Sequence, residues 1–470
     1  MSRAIAVLAF LLTIIVANTA EAASLALVGD STRLCQLTGD VDWPTNTPTV
    51  SRTLTKSGLV SVDLGFPVES APGPLYFLFG DSFPVTHPPG PIGADDAIGW
   101  TAQTAVPTAS SCIDLQLATP TFAHPTVAPA IKQGSFNVPT GGIFLGGTLY
   151  AFFWTDHCVV SNIVLPLAGT PLLTPAYNPL NMSCPETAAL NSIGRSVLAH
   201  ASPMAPAQFT AIVTPGPPFM RKAPVALPSG FVYVTAVRAP LPNTRRPILP
   251  TPLPMLRNEG VAIYGAARYR ASIPYLAVAS IADFPDPTKW MFYGGDSGSG
   301  VTWLTRAQWE SGHDLAGNWV PPKGAEIYAA GPANAGRCIG EHQVTYNTPL
   351  HVWLLTYNCG VDDVEARTAP QPWGPWSTPT PLITKASPNI YCALMMSPMG
   401  CPASLFNYWS TLPALLQQGA FYAPFVLNRY TQDATAAGPG LPKRATITWL
   451  LSTWNPYQVT VMQSTLEMKP

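Results

Sequence analysis

Fifty-three prolines and 36 glycines run through this 470-residue sequence, and they limit what it can build. Proline has no backbone N–H to donate and clashes with the preceding helical turn, so a chain interrupted this often forms no long helix. Between the interruptions, apolar residues alternate with the period of a β-strand. The clearest stretches are 59–83 (LVSVDLGF…GPLYFLFGDSF), 141–160, 230–238 leading into 260–281, 341–358 and 421–466. Each reads as a hairpin or meander with a Gly, Pro or Asn-Pro turn.

About five such units, joined by long proline-rich loops, predict an all-β chain folded as a β-propeller, whose radial blades leave few exposed edges. A β-sandwich is the competing architecture and would need shorter loops. Short helices are predicted at 305–312 and 412–419, and the proline-rich segment 239–255 reads as a loop or excursion. No low-complexity linker divides the chain, so residues 23–470 are expected to form one domain.

Residues 1–22 read as a signal peptide: Arg3, the apolar run AIAVLAFLLTIIVA, then Ala20-Glu21-Ala22 as the cleavage site. The apolar run falls short of the roughly 20 residues a membrane helix needs, which predicts an exported mature chain without a membrane span. A formal net charge of −1 gives no reason to expect nucleic acid as a partner.

Export makes the eight cysteines candidates for disulfides. If the hairpin in CIGEHQVTYNTPLHVWLLTYNCG turns between Thr348 and Pro349, residues whose numbers sum to 697 face each other, and Cys338 and Cys359 do so. Proximity suggests Cys392 with Cys401 and Cys158 with Cys184, which leaves Cys35 with Cys112. The spacings carry no zinc pattern and no D-x-D-x-D calcium loop is present, so no metal or other cofactor is expected.

Charged residues make up only 10% of the sequence, so a carboxylate at the end of an apolar strand is informative. Asp81 in FGDSF and Glu341 in IGEHQ each follow a glycine, which lets the backbone approach closely and brings the acid to a crowded place. The pair suits general acid and base work, with Asp156 in FFWTDHC as a third candidate. Asp95 and Asp96 stand in a Gly-rich loop before Trp100. Asp96, Trp100, Trp454 and Tyr457 are candidates for holding a sugar, whose rings stack on aromatic faces. The bland alternative for each acid is a turn cap or an arginine partner. The stretch YGGDSGSGVTW is at best a degenerate blade turn of the sialidase kind, and a nucleophile elbow is absent.

The segments FGDSF, IGRSVLA (193–199), GEHQVTYNTPLHVWLLTY (340–357), YAPFVL and LLSTWNPYQVTVM resemble the bacterial and fungal domain-of-unknown-function family 4185. The resemblance spans roughly residues 60 to 467. It implies a five-bladed propeller and, for part of that family, endo-D-arabinofuranase activity of glycoside hydrolase family 183. Asp81 matches the family's early Gly-Asp and Glu341 its Gly-Glu. The expectation is a secreted hydrolase of furanosyl polysaccharide; the alternatives are a carbohydrate-binding propeller without catalysis and a structural protein.

Overall fold

The computed structural model describes residues 24–84, 95–118, 121–128, 137–155, 195–213, 224–240, 259–267, 272–297, 300–315, 319–329, 337–360, 363–384, 419–436 and 440–469, with isolated positions between them. The signal-peptide segment, most of 239–255 and of the helix expected at 412–419, Asp156, and Cys158, Cys184, Cys392 and Cys401 lie outside the described residues.

The chain is a five-bladed β-propeller, and only 4% of the described residues are helical. The innermost strands are Ser61–Glu69, Pro139–Leu145, Tyr233–Pro240, Ile339–Asn347 and Phe421–Val426. Each packs against the next, and the fifth returns to the first. From each one a sheet runs outward, antiparallel except that the outermost strand of blade 2, Thr126–Ala128, lies parallel to Gln208–Ala211: blade 1 has three strands, blades 2 and 3 have five each, and blade 4 has four. Blade 5 is completed by Leu25–Gln36, which lies antiparallel to Gln458–Met468 with Leu25 opposite Met468 and Gln36 opposite Thr460. The first strand thus locks onto the last hairpin and closes the ring. Sequence reading did not single out this strand, because its partner lies more than 400 residues away.

The core fills the wedges between blades. Phe66 of blade 1 meets Phe425 of blade 5 edge-on, with ring centroids 5.0 Å apart. In the wedge lined by blade 3, Phe231, Trp290, Phe292 and Trp309 form one cluster. Fully burying an apolar side chain of this kind stabilises the fold by about 2 kcal/mol, so many such contacts along the wedges hold the ring together. Trp309 closes the short helix Arg306–Trp309, which falls within the helix predicted at 305–312 and begins with a capping box between Thr305 and Gln308.

Two disulfides are present among the described residues, Cys35–Cys112 and Cys338–Cys359. Both are pairings expected from sequence. The register behind the second differs, however. Asn347 faces Val352 and His342 faces Tyr357, so the turn is centred one residue later than expected, whereas Ile339 faces Cys359. A bulge between Ile339 and His342 makes up one residue of the resulting two-residue difference in register, so Cys338 stands one position beyond the residue that faces Cys359. The two cysteines meet because the strand carries an extra residue at Gly340–Glu341.

Candidate functional site

Every inner strand except that of blade 3 departs from regular pairing near its beginning. The irregularities lie between Val62 and Phe66, Pro139 and Gly141, Ile339 and His342, and Tyr422 and Phe425. In a propeller the beginnings of the inner strands share one end of the ring. A bulge bends its strand and re-aims a side chain, and such features concentrate at functional sites. Backbone strain collects here too. Leu64 (φ 60°), Ala423 (φ 56°) and Arg270 (φ 55°) are non-glycine residues in the left-handed region. Leu64 follows Asp63, Ala423 follows Tyr422, and Arg270 reaches Glu341. Such conformations cost of order 1–3 kcal/mol each and persist only where the surroundings enforce them.

Asp63 sits at the centre of this cluster. It is 9% exposed, and its Oδ2 accepts from the Tyr457 hydroxyl at 2.6 Å and from the Tyr422 hydroxyl at 3.1 Å. Burial pushes its carboxyl well above the usual carboxylate range, and the nearby charges of Asp81 and Glu341 push in the same direction. The two phenol hydrogen bonds oppose this but do not reverse it. With Oδ2 already accepting twice, Oδ1 is the oxygen on which a proton fits.

Asp81 lies across the hairpin from Asp63. Val62 faces Ser82 and Leu64 faces Phe79, so Asp63 is opposed by the two residues Gly80 and Asp81. A side chain at residue 80 would place its Cβ 2.4 Å from Asp63 Oδ1. The glycine is there for room rather than for an unusual φ. Asp96 meets the same step from the third strand, since Phe79 faces Ala97 and Ser82 faces Asp95. Three acids, Asp63, Asp81 and Asp96, therefore stand at one level of three adjacent strands. Asp81 is 8% exposed and Asp96 is buried.

Glu341 enters from blade 4, 4% exposed, with the Arg270 guanidinium 3.9 Å from its Oε2. Arg270 belongs to blade 3 but its backbone N–H donates to the Ile339 carbonyl at 2.7 Å, which ties its loop to the blade 4 strand. Gly340 repeats the logic of Gly80, since a Cβ there would lie 2.4 Å from Asn358 Nδ2. His342, beside Glu341, is fully buried and faces Tyr233, and burial lowers its pKa to about 4. It is neutral near pH 7, with Nδ1 donating to the Gly340 carbonyl at 3.2 Å.

Tyr457 and Trp454 lie in the turn that follows Arg444–Thr453, with their rings edge-on at 5.6 Å. Tyr457 is buried and part of the cluster; Trp454 is half-buried beside it. Gln458, next in the same motif, donates to the Val60 carbonyl at 3.0 Å and fastens blade 5 to blade 1. Trp100 is half-buried four residues beyond Asp96, about 13 Å along an extended strand, and the structure does not bring it to the acids.

Sequence reasoning missed Asp63, Tyr422 and Arg270. Asp63 left a signal: an acid among Val60, Val62, Leu64 and Phe66 on a strand with no solvent face. Tyr422 and Arg270 left none, because their roles depend on neighbouring blades. Among the described residues no group of His, Cys, Asp and Glu is arranged to hold a metal ion, and no helix is long and apolar enough to cross a membrane.

Fold and site together define a β-propeller with a buried carboxyl cluster at one end of its ring. Residues 252–463 match the family model described as Domain of unknown function (DUF4185). That stretch holds blades 3 to 5 in large part, with Arg270, Glu341, Tyr422, Trp454 and Tyr457; Asp63 and Asp81 precede it. No curated protein matches the chain. Among solved structures, it is similar to a candidate hydrolase from Bacteroides ovatus at 11% identity and a TM-score of 0.44, covering 94% of this chain and 93% of that one. It is also similar to the GH43_1 enzyme from Xanthomonas citri complexed with xylotriose (11% identity, TM-score 0.30, 87% and 86% covered). A third is the exo-beta-1,3-galactanase from Phanerochaete chrysosporium (8% identity, TM-score 0.31, 95% and 96% covered).

Proposed function

We propose that the protein is an exported glycoside hydrolase of the domain-of-unknown-function family 4185, acting on furanosyl polysaccharide, with D-arabinan as the first substrate to test. The observation that supports this most is the convergence of Asp63, Asp81 and Glu341, with Asp63 in a setting that favours its protonated form. Glycoside hydrolysis needs one carboxyl to protonate the leaving oxygen and another, ionised, to serve as base or nucleophile. Burial and two neighbouring charges favour the proton on Asp63, and a carboxyl kept protonated beside other acids is a setting that acid and base chemistry uses. In this reading Asp81 and Glu341 flank the scissile bond and Asp63 tunes Asp81 across the bulge. Trp454 holds the sugar beside them, and Tyr457 orients Asp63. The apolar N-terminal run and the two disulfides support an exported protein.

One observation favours a second reading. Arg270 beside Glu341 forms a polar pair that can hydrogen-bond sugar hydroxyls without turnover, as in a carbohydrate-binding propeller. Incubating the purified protein with arabinans, galactans and xylans, and reading products by mass, separates the two. Release of oligosaccharides that Asp81→Asn and Glu341→Gln each slow by about 10²–10⁴ supports the hydrolase. Binding without any release supports the second reading.

A further inference from the structure

We propose that the Cys338–Cys359 bridge and Asn358 are positioning groups for Glu341, holding the extra residue of the blade 4 bulge at one place in the strand. This rests on the reading of Glu341 as a reacting carboxylate. On one side of the bulge Ile339 faces Cys359; on the other His342 faces Tyr357. Gly340 and Glu341 therefore share one opposing residue, Asn358. A bulge is free to migrate along its strand unless something fixes it, and a one-residue slip turns each affected side chain to the other face. The bridge stands next to the bulge and pins Cys338 beside Cys359, with a Cα–Cα distance of 4.7 Å.

The hydrogen bonds around the bulge repeat the constraint. Gly360 N–H donates to the Cys338 carbonyl at 3.1 Å, and Asn358 Nδ2 donates to the Gly360 carbonyl at 3.1 Å. The same Nδ2 fills the space a side chain at residue 340 would need. Arg270 N–H holds the Ile339 carbonyl from the neighbouring blade. Glu341 is thus the first residue beyond a segment fixed on three sides.

The two bridges predict different things. Cys35–Cys112 closes 77 residues of sequence and Cys338–Cys359 only 21. A purely stabilising role scales with loop length, so loss of Cys35–Cys112 is the more damaging to stability. A positioning role makes loss of Cys338–Cys359 the more damaging to turnover.

The test uses the full chain with two double variants, Cys338→Ala/Cys359→Ala and Cys35→Ala/Cys112→Ala, together with Asn358→Ala, which leaves both bridges in place. Thermal midpoint, amide hydrogen exchange at residues 340–343, and kcat and KM on the polysaccharide cleaved by the wild type are measured on each. In the first variant and in Asn358→Ala, exchange at 340–343 rises and kcat falls about tenfold or more with little change in KM, a size expected for misplacement of a reacting group. The Cys35→Ala/Cys112→Ala variant loses more thermal stability and keeps its kcat per folded molecule. Unchanged exchange and kcat in Asn358→Ala, or equal kcat losses in the two double variants, would overturn the inference. If the wild type cleaves no polysaccharide, the hydrolase reading fails, and exchange at 340–343 alone decides the positioning role. If either double variant does not fold, Asn358→Ala carries the same decision.

Discussion

The Tyr457 hydroxyl donates to Oδ2 of Asp63 at 2.6 Å, across 394 residues of sequence. The bond spans the seam between blade 5 and blade 1, where the propeller closes. The same seam that completes the fold therefore orients the acid at the centre of the site. Tyr457→Phe keeps the ring packed against Trp454 and Phe83 and removes only the donor. A hydrogen bond to a buried carboxyl contributes about 1–3 kcal/mol, so the denaturation midpoint should fall by a corresponding amount. A variant as stable as the wild type would show that the bond contributes nothing.

Asp63→Asn should make stability less sensitive to rising pH. The folded state holds the Asp63 proton more tightly than the unfolded chain does. The stability this contributes is complete below the unfolded value of about 3.9 and is lost as pH rises through the raised folded value. Asparagine has no proton to lose, so the variant should gain on the wild type as pH rises above about 4. Parallel curves of melting midpoint against pH would contradict the burial of an ionisable Asp63. Turnover decides its role. As a tuning group, Asp63→Asn should cost less than Asp81→Asn, and an equal cost would make Asp63 itself the proton donor.

His342 acts in the opposite sense. Its folded pKa is lowered to about 4 by burial. The stability it contributes is present above the unfolded value of about 6.5 and is lost as pH falls toward the folded one. His342→Gln should flatten the acid limb of the stability curve between those values. Thermal midpoints at about pH 7, 5.5 and 4.5 are sufficient to check it, and an acid limb as steep as the wild type's would exclude His342 as its source.

Gly80→Ala tests the crowding at the blade 1 bulge. The added Cβ would lie 2.4 Å from Asp63 Oδ1 and 2.8 Å from Leu64 Cδ1. Overpacking of this kind typically costs about 1–3 kcal/mol. The expected result is a lower midpoint together with slower turnover, because Asp63 and Asp81 flank the insertion. Wild-type midpoint and turnover would mean that the bulge has room to spare.

Much of the strand layout is legible in the amino-acid sequence. The described parts of the four stretches from 141–160 to 421–466 lie within blades 2 to 5, and 59–83 is the inner hairpin of blade 1. The glycines before Asp81 and Glu341 do mark crowded backbone, though the reason is steric room. Two disulfide pairings are legible as well. The bulge register is not, because whether a strand carries an extra residue depends on what its neighbours hold in place, as Arg270 and Asn358 do around Gly340.

The sequence by itself determined the β-strand period, the hairpins and the scarcity of charge that makes each buried acid conspicuous. These follow from local alternation and from proline and glycine, whose effects reach only a few residues. Tertiary structure alone decided that Leu25–Gln36 closes the ring and that Tyr422 and Tyr457 of blade 5 bind Asp63 of blade 1. It also decided that Arg270 of blade 3 reaches Glu341 of blade 4. Each of these pairings joins residues on different blades, or the two ends of the chain, at a distance set by ring closure, and no local pattern encodes that distance.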